Sequence, residues 1–193
     1  MPSLDKRRIL IGDVHGELDG LTEILRHAGL IDDRDAWSGG RSLLIQTGDV
    51  IDRGPHSLEC VRLLRSLQSQ APAAGGQVVR LCGNHELMLL QGDFRYANFT
   101  DPEGLARELR GEIAAGKVVA SFSDGSRLYT HAGLRSAIRI AVQGQVGSNT
   151  AAGPSTRGSL KKLSDRLNSI FVSSLKEGNL ESHPIFHVDR VRG

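Results

Sequence analysis

Eight polar side chains fall into four short clusters: Asp13 and His15 in GDVHG (12–16), Asp49, Asp52 and Arg53 in GDVIDRG (48–54), Asn84 and His85 in GNHE (83–86), and His131 in HAG (131–133). Carboxylate, imidazole and amide oxygen without thiolate form a set of hard and borderline ligands, suited to manganese, iron, zinc or magnesium rather than Cu(I) or an iron–sulfur cluster. Two Asp, two His and Asn84 are more ligands than one open catalytic ion needs. A pair of ions roughly 3.5–4 Å apart, bridged by one carboxylate and a water, uses them fully. Glycines beside each ligand let the backbone turn tightly and approach an anion.

The elements that must position these residues are legible from periodicity. RRILIG (7–12), SLLIQT (42–47), QVVRLC (77–82), VVASFS (118–123) and RLYTHA (127–132) read as short strands bounded by Gly, Asp or Asn. Leu18, Leu21, Ile24 and Leu25 share one face of a first helix ended by Gly29, and Leu58, Val61, Leu64 and Leu67 one face of a second that starts after Pro55. Strand alternating with helix implies right-handed crossovers and a largely parallel sheet in the N-terminal half. Each polar cluster begins where a strand ends, the edge at which open α/β sheets bind ligands. Asp124-Gly125 between two strand-like runs signals a hairpin. A Gly-rich loop over 143–158 then leads into a helix whose Leu160, Leu163, Leu167, Ile170, Phe171 and Leu175 form one stripe, expected to cover the sheet or a substrate groove.

A chain of 193 residues with 39% hydrophobic residues can bury a real core, and it reads as one domain over 1–193, with a motif-bearing core at 7–135, a loop and covering helix at 136–178 and a tail at 179–193. With 24 Lys and Arg against 22 Asp and Glu, and only 4% aromatics, no basic stripe with interleaved aromatics argues for nucleic acid. No window reaches the roughly 18 apolar residues of a membrane span, and no leader precedes the first motif. Two cysteines, Cys60 and Cys82, are too few for a disulfide framework and suit buried, reduced thiols in a cytoplasmic protein.

The four clusters, in this order, resemble the signature of PPP-type serine/threonine protein phosphatases within the calcineurin-like metallophosphoesterases. The match covers residues 7–135, GDVIDRG and GNHE are its most specific parts, and the bacterial Shewanella-like branch is nearest. The resemblance implies an α/β fold, a mixed β-sheet sandwich flanked by helices. It implies that Asp13 and His15 hold a first metal, that Asp49 bridges, and that Asn84 and His131 hold a second. Manganese is expected, with iron or zinc as alternatives. Asp52 would orient His85, while Arg53, with Asn84, would hold the phosphate. The implied reaction is hydrolysis of phosphomonoesters, phosphoserine and phosphothreonine of proteins above all, by direct attack of a metal-bridging hydroxide. An alkoxide leaves poorly, so a protonated His85 suits a general acid, and Arg53 offers a fork for two phosphate oxygens.

Other residues carry blander expectations. Glu86 stands behind the ligands at a helix start, where the dipole favours a carboxylate. His27 and His56 belong to the surface, and Cys82 is read as structural rather than redox-active. Family members carry a further histidine in a Gly-His element, and often another arginine on the phosphate. This chain has no such element. His183, His187, Arg190 and Arg192 lie in a tail that reads as the approach to a missing C-terminal segment, which would leave the second metal an open, weak site and some sheet edges exposed. The alternatives are a dinucleoside polyphosphate hydrolase and a catalytically dead phosphoprotein-binding module.

Overall fold

A computed structural model describes residues 6–133 and 157–180. The tail residues His183, His187, Arg190 and Arg192, and all of the expected Gly-rich loop before Arg157, lie outside the described residues. Strands β1 (Arg8–Ile11), β2 (Leu43–Gln46), β3 (Gln77–Leu81) and β4 (Val118–Val119) form a parallel sheet in the order β1-β2-β3-β4. Ile9 lies opposite Leu44, Leu44 opposite Val78, and Arg80 opposite Val118. The connections carry α1 (Leu18–His27), α2 (Ser57–Gln70), α3 (Asn84–Leu90) and α4 (Pro102–Ala114).

Period-two alternation divides the strand residues between two cores. Leu44 and Val78 join Leu21, Leu25, Leu64, Leu67, Leu105, Leu109 and Ile113 in the cluster between sheet and helices. Leu43, Ile45, Val79 and Leu81 face the other way, against Tyr129. Tyr129 belongs to β6 (Leu128–Thr130), which pairs antiparallel with β5 (Ser121–Ser123) through the Asp124-Gly125 turn. The Asp124 carboxylate accepts the amides of Ser126 and Arg127, the Tyr129 hydroxyl, and the Arg8 guanidinium at 2.8 Å, so the turn is bound to the edge of the parallel sheet.

The last helix, α5 (Arg157–Glu177), closes over β5 and β6. Asn168 donates to the Ser121 carbonyl at 2.9 Å and accepts the Ser121 amide at 3.0 Å, standing in for a neighbouring strand. Of the expected stripe, Leu163, Leu167, Phe171 and Leu175 are buried and Leu160 and Ile170 half-buried. Among the described residues no helix is long and apolar enough to cross a membrane.

Three expectations need correction. The run 118–123 is two strands, because the chain passes at Ala120 from the parallel sheet to the antiparallel ladder. Ile24 is 51% exposed: the sheet reaches only the Leu21 and Leu25 side of α1. Helix α4 was not foreseen; Gly104 and Gly111 interrupt its sequence, yet Asp101 caps it by accepting the Gly104 amide at 2.8 Å and Pro102 starts it. On the edge strand, Leu10, in register with Ile45, stays 53% exposed, an apolar side chain on an uncovered stretch of sheet.

Candidate metal centre

Three loops leave the C-terminal ends of β1, β2 and β3 and bond to one another. The amides of Val14 and His15 donate to the Asp49 carbonyl, Gly16 donates to Val50, and Gly54 donates to His15. The third loop joins through one side chain. Glu86, buried at the start of α3, accepts the amides of Asp49 and Gly83 at 2.8 Å and of Val50 at 2.9 Å. Asp49 in turn accepts the His85 amide at 2.9 Å. These bonds hold a strained backbone: His15, Asp49, Asp52 and Arg53 all have positive φ, from 49° to 73°. Left-handed conformations of non-glycine residues cost on the order of 1–3 kcal/mol each and persist only where the surroundings enforce them.

His131 arrives from β6, in the antiparallel ladder, not from a fourth strand of the parallel sheet. Its Nδ1 lies 2.9 Å from the Thr47 carbonyl, and Nδ1 of His15 lies 3.1 Å from the Ile51 carbonyl. Carbonyl oxygens only accept, so each Nδ1 carries the hydrogen and each Nε2 is left to face the site. Nε2 of His131 is 3.5 Å, and Nε2 of His15 3.9 Å, from the same oxygen, Oδ2 of the buried Asp49. Asn84 Oδ1 is 3.0 Å from Nε2 of His131. Asp13, half-exposed at the mouth, places its two oxygens 4.0 Å from His15 and His131. In neutral imidazoles these nitrogens present lone pairs to oxygens that are also acceptors, an arrangement that a cation among them stabilises. Asp13, Asp49 and His131 form one group with metal-ligand spacing; His15, Asp49 and His85 form another.

Beside this cluster the buried His85 places Nδ1 2.8 Å from Asp52 Oδ2 and Nε2 3.3 Å from an Arg53 nitrogen. Burial raises the Asp52 carboxyl above its usual range, against the hydrogen bond and charge of His85. Burial, with the nearby Asp49, likewise raises Glu86 against its three amide donors. The Asp52 amide donates to the buried Ser57 hydroxyl at 3.0 Å. The structure therefore brings together all eight residues singled out in the sequence. Three further residues brace Asp52 and Arg53: Ser57, Tyr96, whose carbonyl accepts the Arg53 amide at 3.0 Å, and Asn98, which donates to the Arg53 carbonyl at 3.2 Å. No motif marks Tyr96 or Asn98, which lie in the loop after α3.

The sequence matches the calcineurin-like phosphoesterase family over residues 6–184. The chain belongs to this family. It is 45% identical over 91 residues to Shewanella-like protein phosphatase 2 of Arabidopsis thaliana, a stretch that is 47% of this chain and 23% of that protein. It is 43% identical over 90 residues to Shewanella-like protein phosphatase 1 of Plasmodium berghei, covering 47% and 25% of the two chains. The symmetrical bis(5'-nucleosyl)-tetraphosphatase of Cronobacter sakazakii is 41% identical over 81 residues, or 42% and 24%. Among solved structures, a cold-active protein-tyrosine phosphatase of a psychrophilic Shewanella species superposes with a TM-score of 0.68 at 24% identity, over 94% of this chain and 53% of that one. That likeness shows a shared fold. The chain spans only part of the length of the relatives it matches.

Calcineurin-like phosphoesterases use divalent metals, and the donor set fits such ions. Each histidine has its distal nitrogen fixed by a backbone carbonyl, the outer-shell arrangement typical of metal-ligating imidazole. His27 and His56 are exposed. Cys60 and Cys82 are buried and free; burial pushes the Cys60 thiol up to about 12 and raises Cys82 as well, so neither is a thiolate near neutral pH.

Proposed function

We propose that this domain is a metal-dependent phosphatase acting on phosphomonoesters, with phosphoserine and phosphothreonine of proteins as the substrate class. The observation that carries the reading is the convergence of two histidine Nε2 atoms on Asp49 Oδ2, at 3.5 and 3.9 Å, beside a His85 held by Asp52. Asp13, His15 and Asp49 hold one cation, and Asp49, Asn84 and His131 the other, with manganese as the metal expected. Divalent cations bound there supply Lewis acidity and neutralise phosphoryl charge.

The remaining side chains perform the rest. Arg53, exposed and always charged, binds phosphate oxygens as a planar fork, assisted by the Asn84 amide. Its present contact with His85 Nε2 is released when the guanidinium turns to the phosphate, leaving that nitrogen free to hold a proton. Asp52 fixes the His85 ring by accepting from Nδ1 and stabilises the imidazolium. His85 then delivers the Nε2 proton to the departing oxygen. The Shewanella-like protein phosphatase relatives support a phosphoprotein substrate, and the free, buried cysteines suit a reducing cytoplasm.

A second reading, hydrolysis of dinucleoside polyphosphates, is supported by the tetraphosphatase relatives. The deciding experiment measures manganese-dependent turnover of p-nitrophenyl phosphate, a phosphothreonine peptide and diadenosine tetraphosphate, with bound metal counted. His85→Ala and Asp49→Ala serve as controls. Peptide turnover lost in both variants supports the first reading, and turnover of the diadenosine compound alone supports the second. Phosphopeptide binding without turnover of any substrate would make the domain a binding module and sink both.

A further inference from the structure

Gln46, the last residue of β2, is 0% exposed although its side chain is polar. An amide buried without partners costs free energy, so its bonds say what keeps it there. Nε2 donates to the Gly48 carbonyl at 2.7 Å and to the Gly12 carbonyl at 3.2 Å, and Oε1 accepts the Gly48 N–H at 3.1 Å. Carbonyls at one end and an N–H at the other fix the orientation of the amide.

These partners directly precede the ligands: Gly12 stands before Asp13 in the loop after β1, and Gly48 before Asp49 in the loop after β2. The main-chain ladder between the two strands runs as far as the Thr47 N–H, which donates to the Ile11 carbonyl at 2.9 Å. One residue further on, the Gln46 amide takes the place of the next rung. Past the ligands, the amides of Val14 and His15 close the loops again on the Asp49 carbonyl. Asp13 is thus held between a side-chain tie and a main-chain tie. Glu86 makes the corresponding connection between the loops after β2 and β3.

The two ligands depend on the Gln46 tie unequally. Asp13 is half-exposed and its oxygens lie 4.0 Å from the His15 and His131 imidazoles, beyond hydrogen-bonding reach, so its main chain sets where it stands. Asp49 keeps the bond from its N–H to Glu86 whatever happens at Gln46. We propose that Gln46 is a positioning residue for the first metal: by tying Gly12 to Gly48 it sets the reach from Asp13 to Asp49, and with it the affinity of the site those two complete with His15. This rests on the two-cation reading above. An amide is required, because a carboxylate would set acceptor against acceptor at both carbonyls.

The test is calorimetric titration with manganese of the intact chain and of Gln46→Met, whose side chain has similar length and no donor. The intact chain is expected to bind two ions. In Gln46→Met one ion should bind about tenfold more weakly or worse, and the other within about twofold of its original affinity. The ion that stays tight should survive the addition of Asp13→Asn and be lost on the addition of His131→Ala. Both ions weakened equally, neither weakened, or a tight ion lost with Asp13→Asn overturns the role of Gln46 alone. Fewer than two ions on the intact chain overturns the two-cation reading and this role with it. Melting curves establish that each variant is folded, and Gln46→Leu, smaller and equally without a donor, takes the place of a Gln46→Met that is not.

Discussion

The carboxylate of Glu86 accepts the main-chain N–H of Asp49 at 2.8 Å, so the loop that presents the central carboxylate is shaped from the next helix. The same side chain takes the amides of Val50 and Gly83. Glu86→Gln keeps one acceptor but turns an NH₂ toward buried N–H groups, leaving donors facing donors. We expect a loss of about 2 kcal/mol in stability and a manganese affinity lowered about 10- to 100-fold. Urea unfolding and calorimetric metal titration measure the two. A folded variant with undiminished metal affinity would show that the loop keeps its shape without Glu86.

The Asp52–His85 pair predicts a different signature. Asp52→Asn keeps an oxygen near Nδ1 but removes the charge that stabilises a His85 imidazolium. The variant should bind the normal complement of metal while kcat falls by about two orders of magnitude or more. Asp49→Asn, by contrast, should lose metal. Equal metal loss in the two variants would remove the distinction between ligand and positioning residue.

How much of this was legible in the sequence follows from what each signal depends on. Asp13, His15 and Asp49 sit in short loops directly after strands, and Asn84 and His85 open α3 just beyond β3, so reading β1, β2 and β3 was enough to bring them to one edge. His131 required a hairpin as well, and Asp124-Gly125 announced it, although not that the hairpin leaves the parallel sheet. That transfer happens at Ala120, between Val118-Val119 and Ser121-Phe122-Ser123, in a stretch with no Gly, Pro, Asn or Asp to mark a break. Tyr96 was illegible because its place depends on main-chain bonds from the loop after α3 to Arg53, which leave no periodic mark. Helix α4 carried its start signal in Asp101-Pro102, but its buried face of Leu105, Ala106, Leu109 and Ile113 has a gap where a small residue packs.

Away from the site, Glu112 predicts a pH dependence. Burial alone would raise its carboxyl, but Arg80, at 2.5 Å and itself buried, and Arg65 outweigh that and hold it below the usual range. A carboxyl whose folded pKa is lowered contributes stability that is full above the unfolded value, about 4.3, and fades as pH falls toward the folded one. Glu112→Gln should therefore cost about 2 kcal/mol at pH 7, since it leaves Arg80 buried without a counter-charge. The gap between the two proteins should stay constant from pH 8 to about 5 and narrow below about 4. Urea midpoints across that range measure it, and a gap that widens on acidification contradicts the pairing.

Backbone proximity at the centre supplies the last prediction. Gly48 has φ of 103°, and a Cβ there would lie 2.5 Å from the Gly83 nitrogen and 2.6 Å from its Cα, main-chain atoms of the neighbouring loop. Gly29, after α1, has φ of 60° with open space around it. Gly29→Ala should cost about 1 kcal/mol, the penalty for a left-handed alanine, and leave metal binding unchanged. Gly48→Ala pays that penalty and also pushes apart the loops bearing Asp49 and Asn84. A stability loss of about 3 kcal/mol, with weaker manganese binding in whatever fraction stays folded, is expected from unfolding curves and metal titration. Equal effects of the two substitutions would mean that backbone conformation alone, and not the close approach of the β2 and β3 loops, makes glycine necessary at position 48.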